Sequence, residues 1–158
     1  MAQARSVAPA FIQSRSDEAD EIKRWYRNEI AETLPPIGLK YEPVKIGPTW
    51  QHDGKQWLLP EASLAWEAFA FAGQWLTHKG KPWRFTIEQA RFLLHFYAVD
   101  PSTGAFTYDS AVLQRLKGWG KDPFAAVLST LVLTGPLEFD HFGSDGQPVG
   151  REVTDAWV

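Results

Sequence analysis

Cysteine is absent from the 158 residues, which excludes disulfides, thiolate nucleophiles and cysteine-held metals. The four histidines, His52, His78, His95 and His141, show no pairing at metal-ligand spacing, so a zinc site is not expected. Ser144-Asp145 beside His141 makes no catalytic triad, because a Gly-x-Ser-x-Gly elbow is missing. No stretch approaches the ~18 consecutive apolar residues of a membrane span. The start, Met1-Ala2-Gln3-Ala4-Arg5, lacks the apolar core of a secretory signal. A cytoplasmic protein with no membrane partner is the expectation. A basic excess is also missing. Sixteen Lys+Arg against 19 Asp+Glu leave a formal net charge of −3, whereas a dedicated nucleic-acid-binding domain carries a positive footprint. Any contact with DNA would be local.

What is present describes one globular domain by length, with 44% apolar and 22% charged residues. Its eight tryptophans are best explained by aromatic packing in a core. Residues 1–16 are small and polar and read as a mobile arm. From Asp17 the spacing predicts a helix with Ile22, Trp25, Tyr26 and Ile30 on one stripe, Asp17, Glu18, Asp20 and Glu21 in its first turn, and Pro35-Pro36 as its stop. Residues 35–48 are too rich in Pro and Gly for regular structure. Asp53-Gly54, flanked by Trp50 and Trp57, signals a two-residue hairpin turn. Segment 17–60 thus comprises helix, linker and hairpin, and 61–158 forms the main body.

In that body a helix is expected over about 62–78, apolar around most of its circumference and closed by Lys79-Gly80. Thr86 and Gln89 have the spacing of a capping box, opening a helix that stops near Asp100-Pro101. Ser102-Thr103-Gly104 reads as a turn. A short hairpin is expected from residues 137–142 to the region of Val149 across 143–146, and 155–158 begins a further apolar strand.

One stretch organises the rest: Arg115-Leu116-Lys117-Gly118-Trp119-Gly120-Lys121-Asp122-Pro123. A run with strand character (111–116) enters this glycine-interrupted turn, and a helix-like run (124–134) leaves it. That layout suits a phosphate-binding loop, in which main-chain N–H groups and the positive end of a helix hold an anion and a lysine reaches the outer phosphates. The spelling departs from Gly-x-x-x-x-Gly-Lys-Ser/Thr, since Arg115 stands at the first Gly and Asp122 at the Ser/Thr that would ligate Mg²⁺. The competing reading is a glycine turn with a solvated lysine.

Lys81-Pro82-Trp83-Arg84-Phe85-Thr86-Ile87-Glu88-Gln89-Ala90-Arg91-Phe92, Tyr97-Ala98-Val99-Asp100 and Leu113-Gln114-Arg115-Leu116-Lys117-Gly118-Trp119-Gly120-Lys121-Asp122-Pro123 together resemble the N-terminal part of the large terminase subunit of tailed bacteriophages, in the form found in phages of actinobacteria. The resemblance covers roughly residues 40–158. It implies an α/β fold of P-loop NTPase type, here incomplete, in which N-terminal helices flank the first strands of a parallel sheet. It also implies an ATP-driven motor that packs double-stranded DNA into a procapsid, with the portal protein and the small terminase subunit as partners, in the host cytoplasm. On that likeness Lys121 contacts the β- and γ-phosphates, and Gly118, Trp119 and Gly120 form the cradle. Arg115 or Lys117 senses the γ-phosphate, Gln89 reads adenine, and Asp122 lies beside Mg²⁺.

For Gln89 the capping box competes for the same side chain. For Arg115 and Lys117 the alternative is a pair of exposed strand-end charges. ATP hydrolysis also needs acidic residues after a second apolar strand, and none follows the loop in this sequence, so the chain reads as the leading part of such an ATPase. An uncovered apolar edge would then favour self-association. The other function class is a non-enzymatic, aromatic-rich module that docks on a protein partner through residues 50–83.

Overall fold

The computed structural model describes residues 10–35 and 47–152. Most of the expected linker and the terminal strand at 155–158 lie outside the described residues. Four α-helices, α1 (Ala10–Glu32), α2 (Ala65–Trp75), α3 (Ile87–Phe96) and α4 (Lys121–Thr134), are combined with two small antiparallel hairpins, β1–β2 (Thr77–His78 with Lys81–Pro82) and β3–β4 (Glu138–Phe142 with Pro148–Arg151). The protein is thus a mixed α/β structure.

Helix α1 buries Ile22, Tyr26 and Ile30, four residues apart, against α2 and α3. The helix begins at Ala10, so residues 10–16 belong to it rather than to an arm, and Asp17 to Glu21 fall in its interior instead of its first turn. Helix α2 buries one stripe, Ala65, Ala68, Phe69 and Ala72, with Ala70 and Gly73 beside it, whereas Trp66 and Phe71 are half-buried and Trp75 is exposed, so the expected burial around most of the circumference is met only in part. Small residues allow this close approach: a Cβ on Gly73 would come within 2.8 Å of the Ile22 Cδ1 atom. Helix α2 ends at Trp75, not near 78. Lys79 and Gly80, both at positive φ (52° and 74°), are the two central residues of the β1–β2 hairpin rather than a helix stop. A two-residue loop with positive φ at both positions matches the twist of paired strands, which explains why the local chemistry of Lys-Gly served a different end.

Helix α3 carries the expected capping box in full. Thr86 Oγ1 accepts from the Gln89 N–H at 3.2 Å, and Gln89 Oε1 accepts from the Thr86 N–H at 3.0 Å. The helix closes at Phe96, Tyr97 turns the chain, and Ala98 and Val99 then pair as isolated bridges. The Leu64 N–H donates to the Tyr97 carbonyl, the Val99 N–H to the Ala62 carbonyl, and the Thr107 N–H to the Ala98 carbonyl. The turn at Ser102 to Gly104 is held by the Asp100 carboxylate, which accepts from the Ser102 N–H at 2.7 Å. At the other expected turn, Asp53 Oδ1 accepts from the N–H groups of Lys55 and Gln56, the Asp53 N–H donates to the Gln56 carbonyl and a bridge joins His52 to Trp57, so the central residues are Gly54 and Lys55, one position on from the expected pair. The β3–β4 hairpin lies where the sequence placed it.

One cluster of buried residues gathers Ile22, Tyr26, Trp57, Leu64, Phe69, Phe85, Leu93, Phe124, Leu131 and Leu137 from every part of the described chain, so the expected division at residue 60 marks no separate core. The Tyr26 hydroxyl accepts from the Phe85 N–H at 2.7 Å, which joins α1 to the entrance of α3, and burial raises its pKa above the usual phenol range. His95 is buried on α3, and burial holds its pKa below the usual 6.5. A hydrogen bond to the Leu58 backbone opposes that shift and the charge of Arg91 adds to it.

Two outcomes follow from the core. Replacing Tyr26 by Phe leaves the Phe85 N–H buried and unpaired, and urea denaturation is expected to show a loss of about 1–3 kcal/mol at unchanged m value. As pH falls from 7.5 to 5.5, the unfolded chain gains a proton at residue 95 that the folded imidazole resists. Stability therefore drops over that window, and His95→Gln is expected to flatten the drop in the same measurement.

Candidate functional site: the loop between Arg115 and Pro123

Residues 111–116 were expected to form the first strand of a parallel sheet, and the structure corrects this. The segment is irregular and makes no strand pairing among the described residues, where every pair is antiparallel. Its burial nevertheless alternates: Leu113 and Arg115 turn inward, while Val112 (92% exposed) and Leu116 (87%) face outward. Side-chain alternation is a property of the chain, but a strand also needs a neighbour to accept its N–H groups.

The turn itself is bent by two glycines. Gly118 (φ 90°) and Gly120 (φ 89°, ψ 30°) are left-handed, while Trp119 between them is not, so φ alternates in sign along the loop. Glycine adopts such values without strain, and anion-binding nests are built from backbone that alternates in this way. Gly120 is the N-cap of α4, with no side-chain cap. Among the described residues nothing accepts from the N–H groups of Gly118, Gly120, Lys121 or Asp122, whereas Trp119 and Phe124 donate to the carbonyls of Leu116 and Gly120. These open donors stand at the positive end of a 14-residue helix. Phe124 fixes that end in place. It is buried, with its ring edge-on to Phe85, Phe92 and Trp119 at centroid distances of 5.5–6.0 Å.

Lys121 spans the bend. Its Nζ donates to the carbonyls of Arg115 and Leu116, each at 3.1 Å, so the ammonium lies across the loop rather than pointing away. Arg115 pairs through Nε with Glu88 Oε1, and its Nη1 donates to the Gln114 carbonyl. Trp119 Nε1 donates to the other Glu88 oxygen at 2.9 Å. Lys117 and Asp122 are exposed. Asp122 lies in the first turn of α4, and no cluster of three or more acidic or histidine side chains suited to a metal ion occurs among the described residues. Gln89 is committed through Oε1 to the capping box, so the structural reading of that residue is realised. Its Nε2 lies beside the loop all the same: a Cβ on Gly120 would stand 3.7 Å from it. The structure therefore brings Gln89, Arg115, Trp119, Gly120 and Lys121 together and leaves Lys117 and Asp122 on the rim.

Three neighbours escaped sequence reasoning. Glu88 ties the loop to α3. Arg91, only 4% exposed, lies 3.6 Å from the Trp57 ring, donates to the Thr49 carbonyl, and has its pKa lowered by burial. Trp50 sits 5.7 Å from the Arg91 guanidinium and 5.3 Å from that of Arg115. These contacts join residues tens of positions apart, and no local pattern announces them.

The chain is similar to the Gene 13 proteins of two mycobacteriophages. It is 38% identical to that of Mycobacterium phage L5 over 141 residues, and 35% identical to that of Mycobacterium phage D29 over 143. Each match takes in 73% of this chain, which spans only about a quarter of the relatives' length (23% and 24%). No family model and no solved structure matches the chain. No helix among the described residues is long and apolar enough to cross a membrane.

Two concavities lie away from the loop. One, of about 280 Å³, is bordered by Glu18, Glu21, Ile22, Trp25 and Arg84. The other, of about 510 Å³, opens beside Trp57, Leu59, Pro60 and Trp66.

The left-handed glycines make the loop sensitive to a single methyl group. Gly120→Ala is expected to lower stability by about 1–2 kcal/mol through backbone strain, because the added Cβ meets only ordinary contacts. Gly120→Asn should recover part of that loss in parallel thermal melts, since asparagine tolerates the left-handed region.

Proposed function

We propose that the chain is the nucleotide-binding part of a bacteriophage DNA-packaging ATPase, the large terminase subunit, and that residues 115–123 receive the phosphates of ATP. The observation that carries this reading is the run of open main-chain donors at Gly118, Gly120, Lys121 and Asp122, bent by two left-handed glycines and spanned by the Lys121 ammonium. The similarity to mycobacteriophage proteins supports a bacteriophage origin, and the motif Lys117-Gly118-Trp119-Gly120-Lys121-Asp122-Pro123 supports the terminase assignment.

In this reading the loop amides and the α4 N-terminus hold the phosphate oxygens, and Lys121 leaves its two carbonyls to meet the β- and γ-phosphates. Arg115 or Lys117 meets the γ-phosphate. Gln89 offers its Nε2 to the base while Oε1 keeps the cap, since a carbonyl oxygen has two lone pairs and a second bond remains open. Asp122 supplies one carboxylate at the rim, and Mg²⁺ characteristically takes one or two carboxylates with phosphates and waters completing its shell. Bound there, the ion would neutralise phosphate charge. Double-stranded DNA, the portal protein, the small terminase subunit, a location in the host cytoplasm and self-association belong to the same proposal.

The 510 Å³ concavity beside Trp57 and Trp66 favours a second reading, a docking module for a protein partner that binds no nucleotide. Titration with mant-ATP separates the two. Lys121→Ala is expected to weaken binding by about 10- to 100-fold, the worth of a charge-assisted hydrogen bond of 1.5–3 kcal/mol. Equal titration curves for the two proteins would leave only the docking reading.

A further inference from the structure

Glu88 is the second residue of α3, and each of its carboxylate oxygens holds a different side chain of the loop, 27 and 31 residues away. Oε1 pairs with Arg115 Nε, and Oε2 accepts from Trp119 Nε1. The pair is about three-quarters buried, with side chains 25% and 28% exposed, and Arg115 is further confined near the rings of Trp50 and Trp119. The two largest side chains of the cradle are thus fastened to the neighbouring helix, while the main-chain donors beside them stay open. A carboxylate and a phosphate present similar oxygens to a guanidinium and compete for it.

We propose that Glu88 is a positioning residue, an internal anion that holds Arg115 and Trp119 against α3 until a polyphosphate draws Arg115 away, releasing the Trp119 indole N–H in the same movement. This rests on the phosphate-binding reading of the loop and adds to it a built-in competitor and an optical neighbour.

The test labels the 158-residue chain with 5-fluorotryptophan, assigns the Trp119 ¹⁹F resonance as the one lost in Trp119→Phe, and uses inorganic tripolyphosphate as the probe, with binding measured independently by calorimetry. Tripolyphosphate is expected to shift the Trp119 resonance of the wild type. In Glu88→Gln the resonance should already be displaced without ligand and respond little further, with binding tightened several-fold. Glu88→Asp keeps the charge but is one methylene too short to reach both partners, so it should tighten binding in the same direction. If only the Gln variant tightens, net charge is the cause and the latch is wrong. Heat of binding with an unmoved Trp119 resonance would also overturn the latch while leaving the phosphate site standing. No heat in any of the proteins would overturn both.

Discussion

A buried hydrogen bond from the Phe85 N–H to the Tyr26 hydroxyl fastens α1 to the entrance of α3. On one side of it α1 lies along α2. On the other, Phe85 leads directly into Thr86, Glu88 and Gln89, which cap α3, hold Arg115 and Trp119, and place an amide beside Gly120. The Phe85 ring touches both Phe69 and Phe124 and so links the interior of α2 to the start of α4. The position of the loop is therefore set by residues distant from it. A main-chain donor buried at this depth needs a partner, and the tyrosine supplies it where no helix or strand does.

Features settled by local chemistry were legible in the sequence. The Thr86–Gln89 box, the turn at Asp53-Gly54, the β3–β4 hairpin and the buried α2 depend on residues close together along the chain, and each appears near its expected place. Boundaries were less legible. Lys79-Gly80 suits a helix end and a two-residue hairpin equally, and only packing around Trp83 and Leu76, whose main-chain groups pair at 2.8 Å, selects the hairpin. Residues 111–116 have strand composition, yet composition cannot supply the neighbouring chain that a strand requires.

The same division runs through the site. The glycines at 118 and 120 and the lysine at 121 were readable because a tight bend before a helix has a local signature. Glu88, Arg91 and Trp50 were not, because their roles arise from the way α3 and the segment around Thr49 come to lie beside the loop. Arg91 illustrates the physics. Its cation is buried, and the Trp57 face, the Thr49 carbonyl and the nearby Glu88 charge offset the loss of water.

In the proposed phosphate site, the two carbonyls that hold Lys121 also bear on how tightly a ligand would be held. A free lysine carries roughly 1.5–2 kcal/mol of rotamer freedom that must vanish when it is fixed on a partner. With its ammonium already lodged across the bend, that loss of disorder accompanies the folding of the chain and not the arrival of the guest. In the proposed nucleotide site, association would exchange one set of oxygens for another along a side chain that has stopped wandering.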